Sequence, residues 1–206
     1  SNQLQASVAG TLAGNWLPRL VRDYQRDYPG VAVRLLDDNS RNVERMVLEE
    51  EVDFGVGSLV SGTPQLLFDP LIDDAFGLVC SRSHPLARRR RLRWHELRGL
   101  PLLSTTAHHQ LAAWPDEARW LQAPVMHVST MLTLLALLDA NVGVTVLARL
   151  GVPAMLAERL AFVPLAGPRR QRRLGIVRLA GRSLSPAAQA MRERLLAHAQ
   201  ASRGHA

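Results

Sequence analysis

The alternation of strand-like and helix-like segments is the feature that most constrains the fold of this chain. In the first part of the sequence, strands are predicted from apolar and alternating patterns at 5–10, 31–36, 52–58, 65–71 and 75–81. Helices are predicted from amphipathic spacing at 13–28 and 41–51. A strand–helix–strand–helix–strand order is typical of α/β proteins, so the first 81 residues are predicted to be α/β.

The sequence after residue 81 predicts a second α/β half. Strands are expected at 100–104, 125–128, 144–148, 160–165 and 172–180. Helices are expected at 130–141, 152–158 and 186–199, with Ser129 as the N-cap of the first. Two α/β halves joined by two chain crossings indicate a cleft between them, and ligands favour such interfaces between domains.

The positive charge is concentrated in two short arginine runs. All 25 basic residues are arginine and 18 residues are acidic, which with neutral histidines gives a net charge of +7. Nine arginines lie in a first run at 88–93 and a second run at 169–173, and the remaining sixteen are outnumbered by the acids. Exclusive use of arginine fits GC-rich codons as well as phosphate recognition. We therefore expect both runs to be solvated surface loops.

Neither a reaction centre nor a metal site is expected from the sequence. Cys80 is the single cysteine, and its apolar strand predicts a buried, inert thiol. His108 and His109 are adjacent, so in a helix they point about 100° apart, which is poor metal geometry. No nucleophile elbow, P-loop, signal peptide or apolar run of about 20 residues is present. We expect no catalytic residue, cofactor, metal or membrane association, and a cytoplasmic location.

A series of short motifs, in order, resembles the effector-binding domain of LysR-type transcriptional regulators. The motifs are Gly10-Thr11, Leu17-Pro18, Tyr28-Pro29-Gly30, Asp53-Phe54-Gly55, Pro70-Leu71, His84-Pro85-Leu86, Ser129, Val142-Gly143-Val144 and Leu184-Ser185-Pro186. The resemblance covers residues 4–200. The chain departs from the family in the loop 104–109, which lacks the glycines often found there.

This resemblance implies a type 2 periplasmic-binding-protein-like fold, with two α/β lobes joined by two crossover strands and a ligand cleft between them. Lobe I is expected at 1–81 plus 182–206, and lobe II at 82–181. In the family, a winged helix-turn-helix domain precedes this domain, and it is absent from the present sequence. We expect DNA binding only through that N-terminal domain and no sequence-specific binding by Arg88–Arg91. Residual binding should depend steeply on salt.

The resemblance also implies a small, anionic effector bound where strands meet helices. Ligand-binding residues are expected at Gly10, Thr11, Leu12, Asn39, Ser40, Ser58, Ser104, Thr105, Thr106, Ser129 and Thr130. Hydroxyl groups and the free N–H groups of helix N-termini bind carboxylate or phosphate without a dedicated cation. From the residues alone, simple helix capping is the alternative for Thr11 and Ser129, and a polar loop is the alternative for 104–106.

The partners and the alternative functions follow from the same pattern. Helix 13–28 has more apolar residues than one face needs, and 130–141 is apolar nearly all round. The family pairs these elements in a two-fold dimer, so a homodimer is expected, with a higher oligomer for the full-length protein.

Two alternative functions stay open: a solute-binding protein of a transport system, or an enzyme on the same fold. The sequence upstream distinguishes them.

Overall fold

The chain folds into two compact units. The computed structural model describes residues 3–9, 12 and 14–204. Unit 1 comprises the described residues up to Asp73 and from Arg173 onward, and unit 2 comprises Asp74–Arg172. The predicted boundaries after residues 81 and 181 are therefore displaced to 73 and 172. The reason is that both crossings lie inside continuous strands, where no turn or change of pattern marks a boundary in the sequence.

Ten strands and five α-helices are assigned within the described residues. In chain order they are β1 Gln3–Ala9, α1 Leu17–Asp27, β2 Ala32–Asp38, α2 Ser40–Leu48, β3 Phe54–Gly57, β4 Leu66–Ser81, β5 Leu92–Arg93, β6 Leu103–Ser104, α3 Pro115–Ala118, β7 Met126–His127, α4 Met131–Asp139, β8 Thr145–Ala148, β9 Leu160–Ala166, β10 Gln171–Leu179 and α5 Pro186–Arg203. Short 3-10 helices lie at Pro85–Arg88, Trp94–Leu97, Thr106–Ala113, Arg119–Leu121, Arg149–Gly151 and Ala154–Leu156. None of these described helices has the length and apolar character needed to cross a bilayer.

Unit 1 is an α/β sheet flanked by helices, as the sequence predicts. Strand β1 lies between β2 and β3 and is parallel to both, and β10 joins β3 antiparallel. Helix α2 begins where expected, because the Asn39 side chain accepts a hydrogen bond from the Asn42 amide at 3.0 Å. Its residues Val43, Met46 and Val47 are buried, which confirms the predicted inward face.

Unit 2 is built on the second half of β4. This strand pairs antiparallel with β8 and with β9, and β5 pairs in parallel with β9. Alternate residues of β4 enter two different apolar clusters: Leu78 and Cys80 lie in one, and Val79 lies in the other. Burial raises the pKa of the Cys80 thiol, which agrees with the predicted buried and unreactive cysteine.

Strand β4 is continuous, although two strands at 65–71 and 75–81 were predicted. The acidic pair Asp73-Asp74 does not interrupt it, because Asp74 is buried against Arg172 of β10. The Nε and Nη2 atoms of Arg172 lie 3.2 and 3.0 Å from Oδ2 of Asp74, and the Leu150 amide donates to the same carboxylate at 3.2 Å. The charge of Asp74, which suggested a break between two strands, is thus paired with Arg172 inside the sheet.

Three further expectations need correction. The second arginine run is not a loop throughout, because Arg172 and Arg173 belong to β10 and pair with acids of β4. The helix predicted at 152–158 is replaced by the short 3-10 helices Arg149–Gly151 and Ala154–Leu156. The strands predicted at 100–104 and 125–128 shorten to β6 and β7, which pair with each other as a two-stranded sheet, and Leu102 beside β6 forms an isolated parallel bridge with Val144.

The ion pair of Asp74 and Arg172 predicts a large loss of stability on substitution. Asp74→Asn should lower the free energy of unfolding by about 3–5 kcal/mol, because it leaves a buried guanidinium without a counter-charge. Asp73→Asn is the matched control: its pair with Arg173 is exposed and should contribute at most about 1 kcal/mol. Urea unfolding of both variants tests this. Equal decreases in the free energy of unfolding would show that the buried pair does not contribute more to stability than the exposed pair.

Candidate functional site

Unit 2 contains a concave site of about 440 Å³ beside the two-stranded sheet. Its walls carry hydroxyl, amide and imidazole groups and a few apolar side chains: Ser104, Thr105, His108, His109, Gln122 and His127, with Ala112, Ala118 and Leu121. This volume is within the range of small-molecule sites, about 300–1,000 Å³. No arginine or carboxylate is among these lining residues, so the site offers mainly hydroxyl, amide and imidazole groups for hydrogen bonding.

The ends of β6 and β7 bring two polar side chains together. Ser104 and His127 are opposite each other in the parallel pair, and the Ser104 Oγ lies 3.2 Å from Nδ1 of His127. Ser104 was predicted as a ligand-binding residue, whereas His127 was missed. The sequence held one signal for it, because His127, like Ser104, stands near the end of a predicted strand, and the carboxyl ends of parallel strands meet at one edge.

Thr105 and His108 line the site and are held by hydrogen bonds to the backbone. Thr105 is buried, and its hydroxyl accepts a hydrogen bond from the Ala107 amide at 3.2 Å, which begins the 3-10 helix carrying both histidines. His108 Nε2 lies 2.9 Å from the carbonyl oxygen of Val146, to which it donates. Burial of the ring lowers the pKa of His108 to about 4, so the imidazole is neutral at pH 7.

The remaining predicted residues of unit 2 lie outside the lining. Thr106 is exposed on the 3-10 helix, and Ser129 and Thr130 are exposed before α4. The prediction that Ser129 caps this helix is wrong, because the extended Thr130 occupies the N-cap position. The Thr130 hydroxyl donates to the Thr133 hydroxyl at 2.9 Å and makes no cap bond, so no side-chain cap satisfies the first-turn N–H groups of α4.

In unit 1, three of the predicted residues come together at the start of α2. The Ser40 hydroxyl accepts a hydrogen bond from the Ser58 amide at 3.1 Å, beside the Asn39 cap. These polar groups therefore already hold local structure. Leu12 is buried, and Gly10 and Thr11 lie outside the described residues.

Comparison with known sequences gives one consistent family. Residues 1–200 match the family described as LysR substrate binding domain. The uncharacterized HTH-type transcriptional regulator YbhD of Escherichia coli K12 is 32% identical over 182 residues, 84% of this chain and 56% of that protein. The SDS degradation transcriptional activation protein of a Pseudomonas strain is 31% identical over 204 residues, 95% of this chain and 67% of that protein. The chain thus spans little more than half the length of the first relative.

Solved structures confirm the predicted fold. The effector-binding domain of QuiR in complex with shikimate has a TM-score of 0.79 at 16% identity, over 97% of both chains. The regulatory domain of Synechocystis CcmR with 2-PG has a TM-score of 0.79 at 21% identity, over 96% of this chain and 97% of that one. The BenM effector-binding domain with benzoate has a TM-score of 0.75 at 18% identity, over 99% and 94%. The α/β fold is therefore of the type 2 periplasmic-binding-protein-like kind.

Metal binding has no support in the described ranges. Within residues 3–9, 12 and 14–204, no group of three or more histidine, cysteine or acidic side chains is arranged to hold an ion.

The lowered pKa of His108 predicts loss of stability in mild acid. The unfolded chain takes up this proton near the ordinary pKa of 6.5, whereas the folded chain resists it down to about 4. Lowering the pH from 7 to 5 therefore favours unfolding, by about 1–2 kcal/mol for this group. His108→Gln keeps a donor for Val146 and should remove that part of the pH dependence in urea unfolding. His109→Gln, on an exposed neighbour, should retain it, and a retained dependence in His108→Gln would contradict the assignment.

Proposed function

The chain belongs to the family of LysR substrate-binding domains, and on this premise we propose that it senses a small, anionic metabolite for a longer transcriptional regulator. Membership of this family identifies a regulatory domain rather than an enzyme, and the relatives are named as transcriptional regulators. A solute-binding protein remains the second candidate, but nothing among the relatives reported above favours it.

The observation that carries the proposal is the polar concavity of unit 2 in a domain of this family. Its fold neighbours were solved with shikimate, 2-PG and benzoate. Shikimate and benzoate are carboxylates, which supports an anionic effector here. The lining of the concavity has no arginine, so hydroxyl, amide, imidazole and backbone N–H groups are the donors for the negative charge.

Two groups of residues are suited to this task. In unit 2, the first-turn amides of α4 have no side-chain cap, and the exposed hydroxyls of Ser129 and Thr130 stand beside them. Ser104, Thr105 and Thr106 supply further hydroxyls at the end of β6 and directly after it. From unit 1 we propose Thr11, with Asn39 and Ser40 in supporting positions.

In the full-length protein, effector binding controls transcription. The effector favours whichever conformation of the domain it binds more tightly, and it shifts the population by that difference in affinity. A helix-turn-helix domain outside the present sequence binds the DNA. The protein acts in the cytoplasm, where the chromosome lies, and it works as a homodimer that forms a higher oligomer at full length.

Substitution of the hydroxyl groups should weaken effector binding without affecting folding. A thermal-shift screen of small carboxylates and phosphates identifies a ligand, and calorimetry then compares Ser129→Ala and Thr11→Ala with the parent chain. Each should weaken binding by roughly threefold to more than tenfold, because each removes a hydrogen bond of about 0.5–1.5 kcal/mol, or more to a charge. Ser83→Ala, at an exposed serine elsewhere in unit 2, is the control. Unchanged affinity in both test variants would show that the site is wrong.

The chain should be a homodimer in solution at tens of micromolar. Leu132 of α4 is 80% exposed, and α4 is one of the two helices that the family resemblance places in a two-fold interface. Leu132→Asp should give the mass of a monomer in light scattering, because it puts a charge into the interface. Met155→Asp introduces the same charge at an 82% exposed residue outside α1 and α4, and should leave the dimer intact. A monomeric parent chain would contradict the prediction.

A further inference from the structure

The structure brings the first arginine run beside the start of the second in unit 2. The 3-10 helix Pro85–Arg88 contacts β9, and Arg93 of β5 pairs in parallel with Ala166 at the end of β9. The indole Nε1 of Trp94 donates a hydrogen bond of 2.8 Å to the carbonyl oxygen of Pro168, which immediately precedes the second run. Segments 74 positions apart in the sequence therefore lie side by side.

Five of these arginines are exposed and have no acidic partner within ion-pair distance in the part of the chain that the structure describes. They form what we call the arginine surface: Arg88, Arg90, Arg91, Arg93 and Arg169. The other arginines of the runs are occupied, since Arg89, Arg170, Arg172 and Arg173 each pair with an acid. The arginine surface is thus the part of the two runs that internal ion pairs do not explain.

The positive field of this surface is not neutralised locally. Glu96 is the single acid between residues 82 and 100, and both of its oxygens are engaged. Oε1 accepts from the Arg89 guanidinium at 2.9 Å, and Oε2 accepts from the Arg93 amide at 2.8 Å. These bonds lower the pKa of Glu96, so it stays ionised and bound to Arg89. No acid occurs between 159 and 173 in the sequence, and the acids that pair with the rest of the second run leave Arg169 unpaired.

The surroundings favour a phosphate backbone over a protein partner. Protein interfaces are built around apolar or aromatic anchors at their centre. None of the large apolar side chains that are exposed in the described residues lies within 82–100 or 166–173. Nearby, Arg98 and Arg119 lie against the Trp120 ring, at 5.5 and 4.6 Å from its centre, which adds charge rather than free apolar surface. A polyanion with regularly spaced charges fits such a surface.

We propose that the arginine surface binds the phosphates of duplex DNA without reading its sequence. Guanidinium forks match phosphate oxygens, and such contacts position a protein on DNA but carry no sequence information. This role goes beyond effector sensing and is compatible with sequence recognition by a separate N-terminal domain. It adds a second, electrostatic contact that holds the regulatory domain against DNA.

The test uses the 206-residue chain and a labelled random duplex. Fluorescence anisotropy between about 25 and 150 mM NaCl should show binding that weakens with a log–log slope of about −3 to −4, as expected for about four phosphate contacts. The variant Arg88→Gln/Arg90→Gln/Arg91→Gln should bind about tenfold or more weakly at the lowest salt, and its slope should be smaller by about 2–3. Its melting temperature should be unchanged, because all three side chains are exposed.

A matched control removes the same charge elsewhere. Arg19→Gln/Arg34→Gln/Arg41→Gln changes three exposed arginines of unit 1 and should alter the affinity less than about threefold and the slope by less than about one. The proposal is wrong if the parent chain does not bind DNA at the lowest salt, or if the two triple variants behave alike. It is also wrong if poly-glutamate displaces the labelled duplex more readily than unlabelled duplex does, because the surface would then suit an acidic polypeptide.

Discussion

The buried ion pair of Asp74 and Arg172 is the interaction on which the core of unit 2 depends. It joins the first and last residues of that unit, 98 positions apart in the chain. Burial raises the pKa of Asp74 and lowers that of Arg172, so the pair gains little net energy over an apolar substitute. We attribute to it the register of β4 against β10, because a slip of one residue would bury each charge without its partner.

The parts of the fold that the sequence predicted correctly are those whose pattern is local. The inward face of α2 follows from Val43, Met46 and Val47 at helical spacing, and the Asn39 cap lies three residues before its partner. The continuity of β4 could not be predicted, because it depends on Arg172 neutralising Asp74 from a distant strand. The unit boundaries were misplaced for a related reason, because they fall inside β4 and β10. A sequence pattern marks the ends of strands, but it does not reveal the distant contacts that assign one part of a strand to each unit.

The residues of the candidate site likewise include some that the sequence could predict and some that it could not. Ser104 and Thr105 could be predicted because they follow an apolar strand, and both line the concavity of unit 2. For His127 the sequence offered only its position near the end of a predicted strand, because its place beside Ser104 depends on the parallel register of β6 and β7. Ser129 was misassigned as a cap because the extended segment continues through Thr130, which is the N-cap. The sequence alone does not decide between two neighbouring hydroxyl residues. The arginine runs also needed the structure, since the pairing of β5 with β9 brings them together.

The central claim is that this domain binds its effector through the uncapped start of α4 and the hydroxyl groups after β6. The most direct measurement is an amide NMR titration of the isotope-labelled chain with a ligand found by thermal shift. The account predicts that the largest shift changes fall on residues 104–109 and 129–133, and on the amides around Thr11. Shift changes confined to other segments, with these amides unaffected at saturation, would contradict it.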